Sequence, residues 1–170
     1  MARVEVTRTY LQMLAPEALQ PAPVPEGDWR IERVRTCPAS FYSYLYREVG
    51  RAYHWVDRAD WDEETVRSYL AQPSVALWVL FCEGAPAGYF ELVRHLDGST
   101  EIAYFGLVPD FHGRGLGKHL LTVAVREAWG SGAQRVWLHT CTLDGPAALP
   151  NYLKRGFQPY RSEVYYTEKE

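Results

Sequence analysis

The sequence predicts an α/β domain. Three patterns carry that prediction: short β-branched or apolar runs between turn residues, a long amphipathic helix at a glycine-rich turn, and enough apolar residues to bury a core. The chain has 170 residues, 47% of them hydrophobic and 23% charged. That is the usual size of one domain, and too apolar for wholesale disorder. Residues 1–170 are therefore read as a single domain, with 1–27 forming an N-terminal strand and a proline-rich connector.

Val4 to Leu11 is β-branched and roughly alternating, as a strand is. Pro16, Pro21, Pro23 and Pro25 then crowd a stretch that reads as extended chain. Trp29 to Val34 is a second strand. From Ser40 to Ala52, Tyr42, Leu45, Tyr46 and Val49 recur at three- and four-residue steps, the period of a helix with one buried face. Asp62 is placed to cap a further helix that runs to about Ala71 and ends near Pro73. Val75 to Cys82 is apolar throughout and reads as a buried strand. Gly88–Arg94 and Glu101–Val108 continue an antiparallel meander, joined through Asp97-Gly98. In the long helix, Leu116, Leu120, Leu121, Ala124, Val125 and Ala128 make a stripe that would pack on a sheet, and Gly130 and Gly132 end it. Arg135–Thr140 is a strand, Ala147–Arg155 a short helix, and Val164–Thr167 a last strand.

Bulk properties exclude several function classes. Net charge is −3 with acids and bases mixed, so there is no basic stripe for nucleic acid. Met1–Leu14 lacks the apolar core of a signal peptide, and the longest apolar run, Val75–Cys82, is too short to span a bilayer. Cys37, Cys82 and Cys141 are at no metal-ligand spacing, and their odd number argues against a disulfide framework. His54 and His139 have no partners at metal spacing either. The expectation is a soluble cytoplasmic protein with no metal, no membrane contact and no nucleic-acid partner.

The chemistry concentrates in Pro109–Lys118, between a strand and the long helix. Glycines there permit positive φ and close approach of a ligand to the backbone. The unpaired amides of a helix's first turn, at the positive end of its dipole, attract an anion. Arg114 and Lys118 add charge, so the chemistry implied is a phosphate or pyrophosphate. A Walker A loop fails on spacing, because Gly113 is at the wrong distance from Gly117 and His119 follows Lys118. A dinucleotide fingerprint fails because position 118 is lysine. The plain alternative is a helix-start turn that holds no ligand.

His112 to Gly117 resembles the signature of the GNAT superfamily of N-acyltransferases, with His112 where Gln or Arg is usual. Ala148, Tyr152, Gly156 and Phe157 are similar to that family's second motif, in register and in the right order. The resemblance implies a GNAT-type mixed, mostly antiparallel central sheet flanked by helices on both faces. It implies acetyl-CoA as co-substrate, its pyrophosphate wrapped by the loop. Leu107, Val108, His112, Gly113, Arg114, Gly115, Leu116, Gly117, Lys118 and Asn151 are then the cofactor-binding candidates. A splayed strand ending Phe105-Gly106-Leu107-Val108 would leave amides free for pantetheine and the acyl carbonyl.

By the same resemblance Tyr152 lies near the thioester sulfur and protonates the departing thiolate; the alternative is a core tyrosine. An alkylammonium cannot attack a thioester until it loses a proton. Glu101, fourteen positions before Gly115, is the leading base. Glu91 or a water relay is the alternative, and for either glutamate a surface role is equally open. Pro150 would sit inside the short helix and should kink it. The acceptor pocket would draw on Tyr42, Tyr46, Tyr53, His54, Trp55 and Trp61, with Asp57 to hold a cationic amine, although such aromatics are commonly core. Cys141 reads as a packed thiol. The function implied is acetyl transfer to a primary amine of a small molecule or peptide. The rival is a CoA-binding regulatory or interaction domain of the same fold. The Val4–Leu11 segment, if at a sheet edge, would offer pairing for a homodimer.

Overall fold

A computed structural model describes residues 1–169. Its elements run β1 (Ala2–Met13), β2 (Trp29–Val34), α1 (Ala39–Gly50), α2 (Glu63–Leu70), β3 (Val75–Cys82), β4 (Ala85–Arg94), β5 (Ser99–Leu107), α3 (Leu116–Gly130), β6 (Arg135–Cys141), α4 (Ala148–Lys154) and β7 (Gln158–Lys169), with 3-10 turns at Pro16–Ala18 and Pro109–Phe111. The strands form one seven-stranded sheet in the order β2-β3-β4-β5-β6-β1-β7. Every neighbouring pair is antiparallel except β5–β6. The α/β class and the mixed, mostly antiparallel sheet follow the sequence expectation.

Helices cover both faces of that sheet. The stripe of α3 is wholly buried and packs with Leu80, Phe90, Leu92, Ile102, Val136 and Leu138. On the opposite face Tyr42, Leu45 and Val49 of α1 and Val66 of α2 pack on Leu77, Val79 and Tyr89. Asp62 caps α2 as expected, its carboxylate accepting from the Thr65 amide at 2.8 Å.

Strand β1 is not a sheet edge. It pairs with β6 along Arg8–Met13 and with β7 along Ala2–Gln12, so it lies inside the sheet, with Ala2–Val6 paired on the β7 side alone. This corrects the reading of Val4–Leu11 as a free edge for Arg8–Leu11, which is paired on both sides; the outermost strands are β2 and β7. Strand β7 is also longer than the four residues expected. Its exposed alternation hid its length, because it has little apolar face to show.

The sheet order makes the proline-rich stretch necessary. From β1 to β2 the chain must cross five strand spacings, roughly 24 Å. The connector does this as extended chain along the α3 face: the Gln20 amide donates to the Arg155 carbonyl at 2.9 Å, and the Ala22 amide to Thr122 Oγ1 at 3.0 Å. Gly156 sits beneath this crossing with φ +105°, and a Cβ there would collide with the Ala18 carbonyl. Its place before Phe157 therefore has a backbone cause. Gly156→Ala is expected to cost at least about 2 kcal/mol through left-handed strain and that collision. Urea unfolding tests it, and a change within about 0.5 kcal/mol would contradict the account.

Candidate active site

Strands β5 and β6 pair in parallel only at Ser99–Arg135, Thr100–Val136 and Glu101–Trp137, and then part. The cause lies on the other side of β5. Glu91 faces Tyr104 and Leu92 faces Ile102, so Ala103 is an extra residue against β4. Such a bulge bends its strand, here immediately after the last β6 pair. The opening beyond it is the mouth of a cavity of about 1110 Å³.

Strand alternation decides which main-chain groups face that opening. The Val108 amide donates to the Ala87 carbonyl of β4 at 2.8 Å, and the Gly106 carbonyl lies against Gly88 of β4. Residues of the other parity, Phe105 and Leu107, therefore turn their N–H and C=O groups away from β4 and into the gap. His112 Nε2 lies 3.3 Å from the Leu107 carbonyl. The amide of Val108 is spent within the sheet, and the Val108 side chain is buried against the α1–α2 layer.

The glycine turn closes one end of the cavity. Gly113 and Gly115 adopt φ of +79° and +76°, conformations that favour glycine, and Gly115 is the residue from which α3 starts. Among the described residues no side chain caps that start. The first-turn amides of a fifteen-residue helix are left for an anion. His112, Gly113, Gly115, Gly117 and Lys118 line the wall, with Leu107 and Asn151. Besides Val108, two candidates place their side chains elsewhere. Leu116 is buried in the core. The Arg114 guanidinium turns away, 3.6 Å from Glu83 and over the Phe111 ring at 5.2 Å. Lys154 and Arg155, which sequence reasoning passed over, are on the wall instead. Nε and Nη1 of Arg155 are buried with no hydrogen-bond partner among the described residues. The signal was the Lys-Arg pair before Gly156-Phe157.

Tyr152 lines the same cavity from α4 and is 7% exposed, its ring edge-on to Phe105 and Phe157. Burial pushes its phenol well above the ordinary tyrosine value, and the nearby Asp144 charge and Tyr53 push the same way. Asp144 is held by the Thr140 hydroxyl at 2.5 Å and the Cys141 amide at 3.1 Å. Pro150 produces no kink. Helix α4 begins at Ala148, which puts Pro150 in the first turn, where its missing donor would have had no helical partner; the first four-residue bond is Asn151 to Ala147.

The two glutamates separate. Glu101 is on the cavity wall, 3.0 Å from His95 Nε2. Glu91 is fully buried outside it and committed on both oxygens: Tyr42 donates at 2.7 Å, Tyr69 at 2.6 Å, and Arg58 Nη1 to both at 2.9 Å. This geometry removes Glu91 as a candidate base. Arg58 also stacks over Trp61, Tyr69 and Tyr104 at 4.6, 4.4 and 4.4 Å. It thereby pins the 51–62 segment, whose Tyr53, His54, Trp55 and Asp57 face the cavity. Tyr42, Tyr46 and Trp61 do not line it; the first two are buried and Trp61 packs on Tyr69. Cys141 is half-buried on the cavity wall rather than packed in the core. His139 opens into the cavity, and burial beside Arg8 holds its imidazole below the ordinary value. No cluster of three metal-ligating side chains occurs among the described residues, and no helix there is long and apolar enough to cross a membrane.

Residues 41–157 match the model of the family described as Acetyltransferase (GNAT) family. The chain belongs to that family. GNAT proteins of known structure share the fold: a GCN5-related N-acetyltransferase from Kribbella flavida superposes with a TM-score of 0.67 at 22% identity, covering 96% of this chain and 58% of the other. In sequence the chain is similar to the mycothiol acetyltransferase of Corynebacterium efficiens, 31% identical over 125 residues, 69% of this chain and 40% of that protein. It is also similar to the mycothiol acetyltransferase of Thermomonospora curvata, 29% identical over 98% of this chain and 56% of that protein. The chain thus spans about half the length of these two curated relatives.

The Arg58–Glu91 pair gives a direct test of how this GNAT cavity is held open. Glu91→Ala leaves the largely buried Arg58 guanidinium, 13% exposed, without its counter-charge and should cost about 3 kcal/mol. Urea unfolding measures it; a loss below about 1 kcal/mol would mean that the pair does not anchor the 51–62 segment.

Proposed function

We propose that this chain transfers an acetyl group from acetyl-CoA to a primary amine of a small molecule or peptide by direct attack. The observation that carries the reading is the gap between β5 and β6, with the uncapped start of α3 at one end and the Tyr152 phenol on its wall. Family membership and the relatives' names supply the acyl group.

In this reading the pyrophosphate lies on the amides from Gly113 to Lys118, with Lys118, Lys154 and Arg155 as the cationic wall. The pantetheine runs into the gap along Asn151 and the free groups of β5. An amide of Phe105 or Leu107 then receives the thioester oxygen as it takes on negative charge. The acceptor enters from the side of Tyr53, Trp55 and Asp57, where aromatic faces and a carboxylate suit a cation. Glu101 takes the ammonium proton; an alkylamine of pKa about 10.4 is more than 99% protonated at pH 7 without such help.

Tyr152 supplies the second proton. The ordinary phenol and thiol values differ by about 1.5 units, or roughly 2 kcal/mol, against transfer to the thiolate. Burial raises the phenol, but the same dry wall raises the departing thiol, so the gap does not widen in proportion. The raised value also keeps the phenol protonated at every pH where the enzyme would work.

The test is thiol release from acetyl-CoA with a panel of amino-acid amides, aminosugars and peptides. Release above background with any of them supports transfer; binding of acetyl-CoA with no release from any would leave a CoA-binding domain. Tyr152→Phe should lower kcat by about 10²-fold while leaving acetyl-CoA affinity within about twofold. An unchanged kcat would remove the phenol from the mechanism.

A further inference from the structure

The base in the reading above must hand its proton on, and Glu101 has one partner placed to receive it. Its carboxylate lies on the cavity wall at the last position where β5 pairs with β6, with a side-chain exposure of 16%. Its Oε1 is 3.0 Å from Nε2 of His95, which is 39% exposed and lies outside the cavity. The bond therefore joins the inside of the site to solvent through the sheet's rim. We propose that Glu101 and His95 form a proton exit, with His95 carrying to water the proton that Glu101 removes from the acceptor ammonium.

The turn that carries His95 is built to hold it still. The His95 amide donates to the Ser99 carbonyl at 2.9 Å and its carbonyl accepts from the Gly98 amide at 3.2 Å. Its ring packs on Trp137 with centroids 5.5 Å apart, and Trp137 Nε1 donates to Ser99 Oγ at 3.1 Å. The charges around the ring come from three elements: Asp97 of its own turn, Glu101 of β5, and Arg135 of β6, which pairs with Asp97 at 3.9 Å. On the cavity side Glu101 faces His139, which itself has Arg8, Asp144 and Asp57 as neighbours. His139 also lines the cavity but makes no hydrogen bond to Glu101, so the bonded route from the carboxylate runs through His95.

The step balances without any outside reagent. The ammonium N–H proton passes to Glu101 Oε, freeing the nitrogen lone pair for attack. At rest His95 carries its proton on Nε2 and donates it to the ionised Glu101. Once Glu101 is protonated, the imidazole exchanges with solvent to its Nδ1–H form, takes the carboxyl proton on Nε2, and the imidazolium loses its Nδ1 proton to water, which restores the resting pair. An exit at the rim lets the base turn over while the acceptor is still bound.

The inference rests on Glu101 as the base and is tested separately from it. With the fastest amine of the panel, His95→Gln, which keeps a donor for Glu101 but cannot relay a proton, should lower kcat at least 10-fold. So should His95→Ala, and added imidazole should restore the alanine variant in proportion to its concentration. Acetyl-CoA affinity, measured by calorimetry, should match the parent for both, which also shows that they fold. A glutamine variant with parental kcat from pH 6 to 9 would overturn the exit, as would an alanine variant that imidazole does not rescue. Inertness of the parent chain toward every amine would sink acetyl transfer itself, and the exit with it.

Discussion

The architecture of the site depends on one break in a hydrogen-bond ladder. Strands β5 and β6 share only three paired residues, and the extra residue Ala103 bends β5 away as soon as the pairing ends. A continuous parallel ladder would have consumed the groups that Phe105 and Leu107 now present to the gap. Unpaired main chain is costly when buried and dry. Its persistence here, on the wall of a large cavity, is what a ligand-binding strand requires.

The rest of the molecule holds that gap at a fixed width. Helix α3 fills one face with an apolar stripe and brings its uncapped start to the rim. On the other face α1 and α2 clamp Glu91 and Arg58, and through Arg58 the 51–62 segment that walls the acceptor side. Of the charges on the wall, Lys118, Lys154 and Arg155 come from the helix ends, and Asp57, Glu101 and Asp144 from the segment, the strand and the turn before α4; the other two cations, Arg8 and Arg58, are paired with Glu163 and Glu91. In the proposed reaction the helix-end cations would hold phosphate and the acids the acceptor's cationic amine.

Much of this was legible in the sequence where local chemistry and tertiary demand agree. The α3 stripe, the Asp62 cap and the apolar run of β3 each carry their own periodic signal. The glycine turn announced itself because Gly113 and Gly115 have to reach positive φ. Other features have no local sign. The Ala103 bulge sits in Ile-Ala-Tyr, which contains no glycine or proline to mark it. The Arg58–Glu91 pair joins residues 33 positions apart, so Glu91 read as an alternative base or a surface carboxylate. Pro150 misled because its effect depends on where the helix starts, within two residues. The direction of the Arg114 side chain depends on Glu83 in a distant turn. Strand β1 looked like an edge because its partners, β6 and β7, lie at the far end of the chain.

The central claim is that acetyl-CoA occupies the gap and meets the free side of β5. Amide chemical shifts, followed by NMR during an acetyl-CoA titration, address it residue by residue. The account predicts strong responses at Phe105, Leu107 and the amides from Gly113 to Lys118, with Gly106 and Val108, bonded toward β4, responding least. No response at millimolar acetyl-CoA, or one confined to surfaces away from β5 and the start of α3, would contradict it.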